Sequence, residues 1–112
     1  MSRASISQVA LLYLKSFAEK DIGSLEVLFA DTVSLADWDG HLIGKDNIIE
    51  FNKKVFASIN SISIDIVKVA VGQNTVMAEL RITLNNSTTL NVVDVIEFDD
   101  DNKIQSIKAY KR

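Results

Sequence analysis

A chain of 112 residues with 47% hydrophobic and 24% charged residues has the balance of one soluble globular domain, and excludes a disordered or fibrous chain. Its net charge of −3 provides no basic field for phosphate backbones or anionic lipid, so neither nucleic acid nor membrane is an expected partner. No cysteine and a single histidine, His41, exclude disulfides, thiolate nucleophiles and two-imidazole metal sites, and no metal or cofactor is expected.

The opening segment MSRASISQVALLYLKSF has too short an apolar core for a leader or a membrane span, which points to the cytoplasm. Within it Ile6, Val9, Ala10, Tyr13 and Phe17 recur at helical spacing, and Ser5 with Gln8 forms a capping-box start. A second, short helix is expected after Asp21 as its cap, with Leu25, Leu28 and Phe29 inward and an end near Ala30. Residues 32–38 then alternate as a half-buried strand whose odd positions, Val33, Leu35 and Asp37, face inward. After a turn at Asp39 and Gly40, Ile48, Phe51, Val55 and Phe56 mark a third helix over residues 45–58.

The remainder reads as strands. Turn-forming groups at Gly72-Gln73-Asn74, Asn85-Asn86-Ser87 and Asp99 to Asn102 divide it into four runs, an antiparallel meander. Val76, Ala78, Leu80, Ile82 and Leu84 share one face, whereas Met77, Glu79, Arg81 and Thr83 share the other, a surface mixed enough for a homodimer through the sheet. In the next run Leu90, Val92, Asp94, Ile96 and Phe98 share the inner face, so one carboxylate stands in the middle of an apolar row. The whole is an α+β arrangement over residues 1–112, three helices packed on a curved, mostly antiparallel sheet that encloses a pocket.

Tyr13, Asp37 and Asp94 are thus polar groups on faces expected to be buried. A carboxylate in apolar surroundings must be paired, solvated by a cavity, or held neutral by a raised pKa. Arg81 and Lys108 are the candidates for a pair. If Asp94 is neutral, it and a tyrosine hydroxyl could both donate to one carbonyl oxygen, while a second carboxylate removes a neighbouring proton. Phe17, Trp38, Phe51, Phe56 and Phe98 could line the apolar pocket or serve simply as core. His41 and the run Asp99 to Asp101 read as exposed turn residues.

The segments YLKSF, KDIGSLEVLFADTVSLADWDG and VVDVIEFDDDNKIQSIKAY resemble the ketosteroid isomerase branch of the nuclear transport factor 2-like, or SnoaL-like, superfamily. The resemblance covers most of the chain. It implies a cone-shaped, cystatin-like fold and a homodimer, with Tyr13 as oxyanion-hole tyrosine, Asp37 as general base and Asp94 as protonated oxyanion-hole acid. The implied activity is isomerisation or cyclisation of an apolar, steroid-like or polyketide-like carbonyl compound. A non-catalytic small-molecule-binding or dimerisation module is the alternative on the same fold. A hydrolase using a carboxylate-held water would need Arg81 inward, against its strand register. Two features depart from the isomerases: Trp38 stands where they usually carry proline, and Tyr110 is the only tyrosine besides Tyr13.

Overall fold

The computed structural model describes residues 5–112, so the first four residues of the opening segment lie outside it. Ser5 caps α1 (Ile6–Ala18) with the reciprocal bonds of a capping box, its hydroxyl accepting from the Gln8 N–H and its own N–H donating to the Gln8 side chain. Lys20 closes that helix in the left-handed region, with the Asp21 N–H bonded back to Ser16 O and the Lys20 N–H to Phe17 O, a Schellman pattern with lysine where glycine is usual. The Lys20 ammonium donates to the carbonyls of Ile59 and Asn60, which ties this turn to the end of the third helix.

Asp21 caps α2 (Ile22–Leu28), and the chain then turns directly into β1 (Phe29–Ala36). Helix α2 therefore ends earlier than the spacing predicts. Phe29 is extended and opens the strand, yet it remains 1% exposed, because a residue at a helix-to-strand junction can face the core from either geometry. Strand β1 accordingly stops at Ala36, and Asp37 lies one residue beyond it. The turn leads into a three-residue strand, β2 (His41–Ile43), where residue types predict only turn; it pairs antiparallel with the end of β1. Helix α3 (Lys45–Ser58) follows with the predicted bounds.

Strands β3 (Ile62–Val71), β4 (Thr75–Leu84), β5 (Thr88–Phe98) and β6 (Ile104–Lys111) form the expected antiparallel meander. The six-stranded sheet runs β2-β1-β6-β5-β4-β3, with β1 joined to β6 in parallel. Register shifts in the β1–β6, β3–β4 and β5–β6 pairings mark the bulges at which such a sheet bends. The three-residue β4–β5 connection, residues 85–87, carries positive φ at both Asn85 and Asn86, a conformation asparagine tolerates, and the Asn85 side chain accepts from the N–H groups of Asn60 and Ser61. Helix α1 packs on β3 and β4, and α3 packs on β1 and β2, so the two helices cover opposite halves of one sheet face.

Register predicts opposite sensitivities for adjacent residues of β4. Leu80 is 1% exposed and Glu79 lies on the outer face. Leu80→Ala is expected to cost about 2–5 kcal/mol in urea unfolding, and Glu79→Ala to stay within about 0.5 kcal/mol.

Candidate functional site

Asp94 stands mid-strand between two alanines, opposite Ala78 on β4 and Ala109 on β6. These small neighbours leave open volume where larger side chains would fill the sheet face, and a cavity of about 390 Å³ occupies it. Tyr13 and Phe17 line it from α1, Asn52 and Val55 from α3, and the inner rows of β4, β5 and β6 form its floor. At the end of β1, Asp37, Trp38 and Asp39 reach it too.

Asp94 is 7% exposed and makes no hydrogen bond or ion pair among the described residues. Both candidate counter-ions point elsewhere. Arg81 is exposed on the outer face across from Asp65 and Asn91, and Lys108 pairs with Glu97 at 3.6 Å. Burial without a compensating charge pushes the Asp94 carboxyl up to about 7, so near neutrality it is protonated in a large share of molecules. The inward arginine needed for the carboxylate-held-water hydrolase is thereby missing among the residues facing this cavity.

Tyr13 is wedged between Phe17 and Phe29, with ring centroids 6.3 and 6.0 Å away. Its hydroxyl has no hydrogen-bond partner among the described residues. Burial, and then the charge of Asp94, push its ionisation well above the usual phenol range, which keeps it a donor. No fully enclosed side-chain nitrogen or oxygen among the described residues lacks a partner, so the unpaired oxygens of Tyr13 and Asp94 must keep some access to the cavity.

Asp37 is differently held. Its Oδ1 accepts from the N–H groups of Asp39 (2.8 Å) and Gly40 (3.0 Å), fixing the carboxylate at the cavity rim and leaving Oδ2 free of bonds from the described residues. Trp38 is 42% exposed beside it, with the Lys111 ammonium 5.0 Å from its ring centroid. Of the five aromatic residues expected at the pocket, Phe17, Trp38 and Phe51 line it. Phe56 instead packs edge-on against Phe17 at 5.0 Å, behind the wall, and Phe98 lies at the far end of β5 near Ile6. Both are core because a shared face says nothing about position along the element. His41 is exposed on β2, and among the described residues no three His, Asp or Glu side chains gather as a metal site.

Asn52 is a further polar group of the cavity wall, beyond those expected from the sequence. It is 3% exposed, lines the cavity and has no hydrogen-bond partner among the described residues. Its signal was available, since Ile48, Asn52, Val55 and Ile59 recur at helical spacing with one amide in an apolar stripe.

A family model described as a SnoaL-like domain matches residues 10–107. No curated protein matches the chain in sequence. Among solved structures, it is similar to a LEH-like epoxide hydrolase of M. tuberculosis (TM-score 0.85, 14% identity, covering 96% of this chain and 82% of the other). It is similar also to a protein of Kribbella flavida described as a ketosteroid isomerase (0.84, 13%, 96% and 77%). A protein of Shewanella denitrificans described as a SnoaL-like polyketide cyclase is similar again (0.83, 19%, 98% and 92%). At these identities the likeness shows the fold alone. No helix among the described residues is long and apolar enough to cross a membrane.

The raised Asp94 carboxyl has a signed consequence for stability. Between its ordinary value of 3.8 and about 7 the unfolded chain releases this proton and the folded one retains it, so stability is lost as pH rises through that window. The stability advantage of Asp94→Asn over the wild type should grow by on the order of 4 kcal/mol between about pH 4 and pH 8, measured by urea unfolding.

Proposed function

The chain belongs to the SnoaL-like domain family, and from that premise we propose that it is a small isomerase or cyclase moving a proton on an apolar ring carbonyl compound, steroid-like or polyketide-like. The observation that carries this reading is the meeting of Asp37, Tyr13 and Asp94 at one cavity, with Asp94 neutral in much of the population near neutrality. A carbonyl oxygen seated against Tyr13 and Asp94 accepts two hydrogen bonds. Asp37 then takes a proton from the carbon beside that carbonyl, and the electron pair of the broken C–H bond moves into the enolate whose oxygen the two donors stabilise. The Asp37 carboxyl next returns the proton to another carbon of the same conjugated system, or the enolate carbon attacks a second carbonyl to close a ring and the proton on Asp37 passes to the alkoxide formed as that C=O π bond breaks. Neither course needs a cofactor. The apolar lining excludes water and strengthens both hydrogen bonds in the transition state.

The opposite face of the sheet supports a homodimer. Met77, Val93 and Tyr110 are exposed there, with Val93 opposite Tyr110 across β5 and β6 and Met77 opposite Val95 across β4 and β5. Cross-strand charges at Lys68 and Glu79 and at Asp65 and Arg81 border this apolar centre, and both signs suit a self-complementary contact. A homodimer through this face leaves the cavity open on the other. Sedimentation should give twice the 12.4 kDa chain mass, and Met77→Glu with Tyr110→Glu should shift the protein to monomer.

Activity is tested by deuterium exchange at the carbon beside the carbonyl of cyclic ketones, followed by proton NMR. Asp37→Asn should slow exchange by about a hundredfold or more while ketone affinity changes only a few-fold. Ketone binding with no wild-type exchange would instead favour the non-catalytic binding module.

A further inference from the structure

The polar groups of the cavity fall on separate elements. Tyr13 comes from α1 and Asp94 from β5, whereas Asn52 comes from α3, which stands over the other half of the sheet. An interior helix position would be more stable with leucine, because a buried amide without a partner forfeits its hydration and asparagine is a weak helix former. Asn52 is 3% exposed and unpartnered, and since no fully enclosed polar atom lacks a partner among the described residues, its amide must open toward the cavity it lines. Ile48 and Val55 carry the same stripe of α3 as plain hydrocarbon.

An amide presents one acceptor and two donors, and its character does not change with pH. It complements a group that donates and accepts together, a hydroxyl above all. A purely hydrocarbon edge at that wall would leave the amide unsatisfied and bind less well.

We infer that Asn52 is a specificity-determining residue, and that the cavity takes a ring ketone bearing a hydroxyl at the edge remote from its carbonyl. The carbonyl end rests on the proposed function; the hydroxyl end rests on Asn52 alone. Selection then requires both poles at once. A ketone without the hydroxyl enters but leaves one buried amide unpaired.

Calorimetric titrations with 1-tetralone, 6-hydroxy-1-tetralone and 7-hydroxy-1-tetralone separate the two ends. The wild type should bind at least one hydroxytetralone about fivefold or more tighter than 1-tetralone. In Asn52→Leu, and in Asn52→Ala as a second variant should the first not fold, that ratio should fall to about one. A melting temperature of Asn52→Leu no lower than the wild type's would set aside a merely structural role. Absence of a hydroxyl preference in the wild type, or its persistence in both variants, overturns the assignment of Asn52. The carbonyl end is read independently from 1-tetralone, which should bind more weakly at about pH 8.5 than at pH 5.5 as the Asp94 carboxyl stops donating. Affinity of 1-tetralone that ignores pH overturns the carbonyl reading while a preference traced to Asn52 stands, and failure of all three compounds to bind overturns both.

Discussion

Everything at the centre of this molecule turns on a carboxyl buried without a counter-ion. Asp94 sits on the inner row of β5, where the register forbids it a cation: the strand alternation sends Arg81 and Lys108 to the outer face, and Lys108 is engaged with Glu97. A carboxylate there would be strongly disfavoured, so the group shifts its titration upward and spends much of its population neutral. That cost could have been removed by any apolar residue of similar volume. Its retention beside Ala78 and Ala109 ties the destabilising group and the open volume to the same stretch of sheet.

The two layers divide the labour around that volume. Helices α1 and α3 stand over opposite halves of the sheet and meet edge-on through Phe17 and Phe56, so they bridge the floor without filling it. The α1–α2 turn is anchored to the end of α3 by Lys20, and the Asn85 side chain ties the β4–β5 hairpin to the following connection. The apolar groups left on the other sheet face are then available for association without competing for the cavity.

Much of this was legible in the sequence because strand parity and helical spacing are strong signals. Asp94 was found by parity alone, and the capping box at Ser5 and the bounds of α3 followed from residue types. The losses share a cause. Phe29 belongs to a junction where both periods fit, so the helix was read too far, and β2 is too short to show alternation. Phe56 and Phe98 share the inner faces but lie away from the cavity, since periodicity fixes direction and not depth. Asn52 shows in the sequence only as a polar residue within the apolar stripe of α3, a pattern that fixes its face and not its role.

Asp37 shows why two chemically identical side chains can carry different roles. Placed one residue beyond β1, it escapes the sheet's burial, and its Oδ1 is held by two backbone N–H groups of the turn it initiates. It is therefore positioned by the backbone at the rim, while Asp94 is positioned by side-chain packing at the floor. A group meant to take a proton needs one free lone pair at a fixed place; a group meant to donate needs surroundings that keep its proton on. The turn supplies the first condition and the dry sheet face supplies the second. Exchanging the two environments would reverse the roles, so the chemistry proposed for this cavity belongs to the junction between strand and turn as much as to the residues themselves.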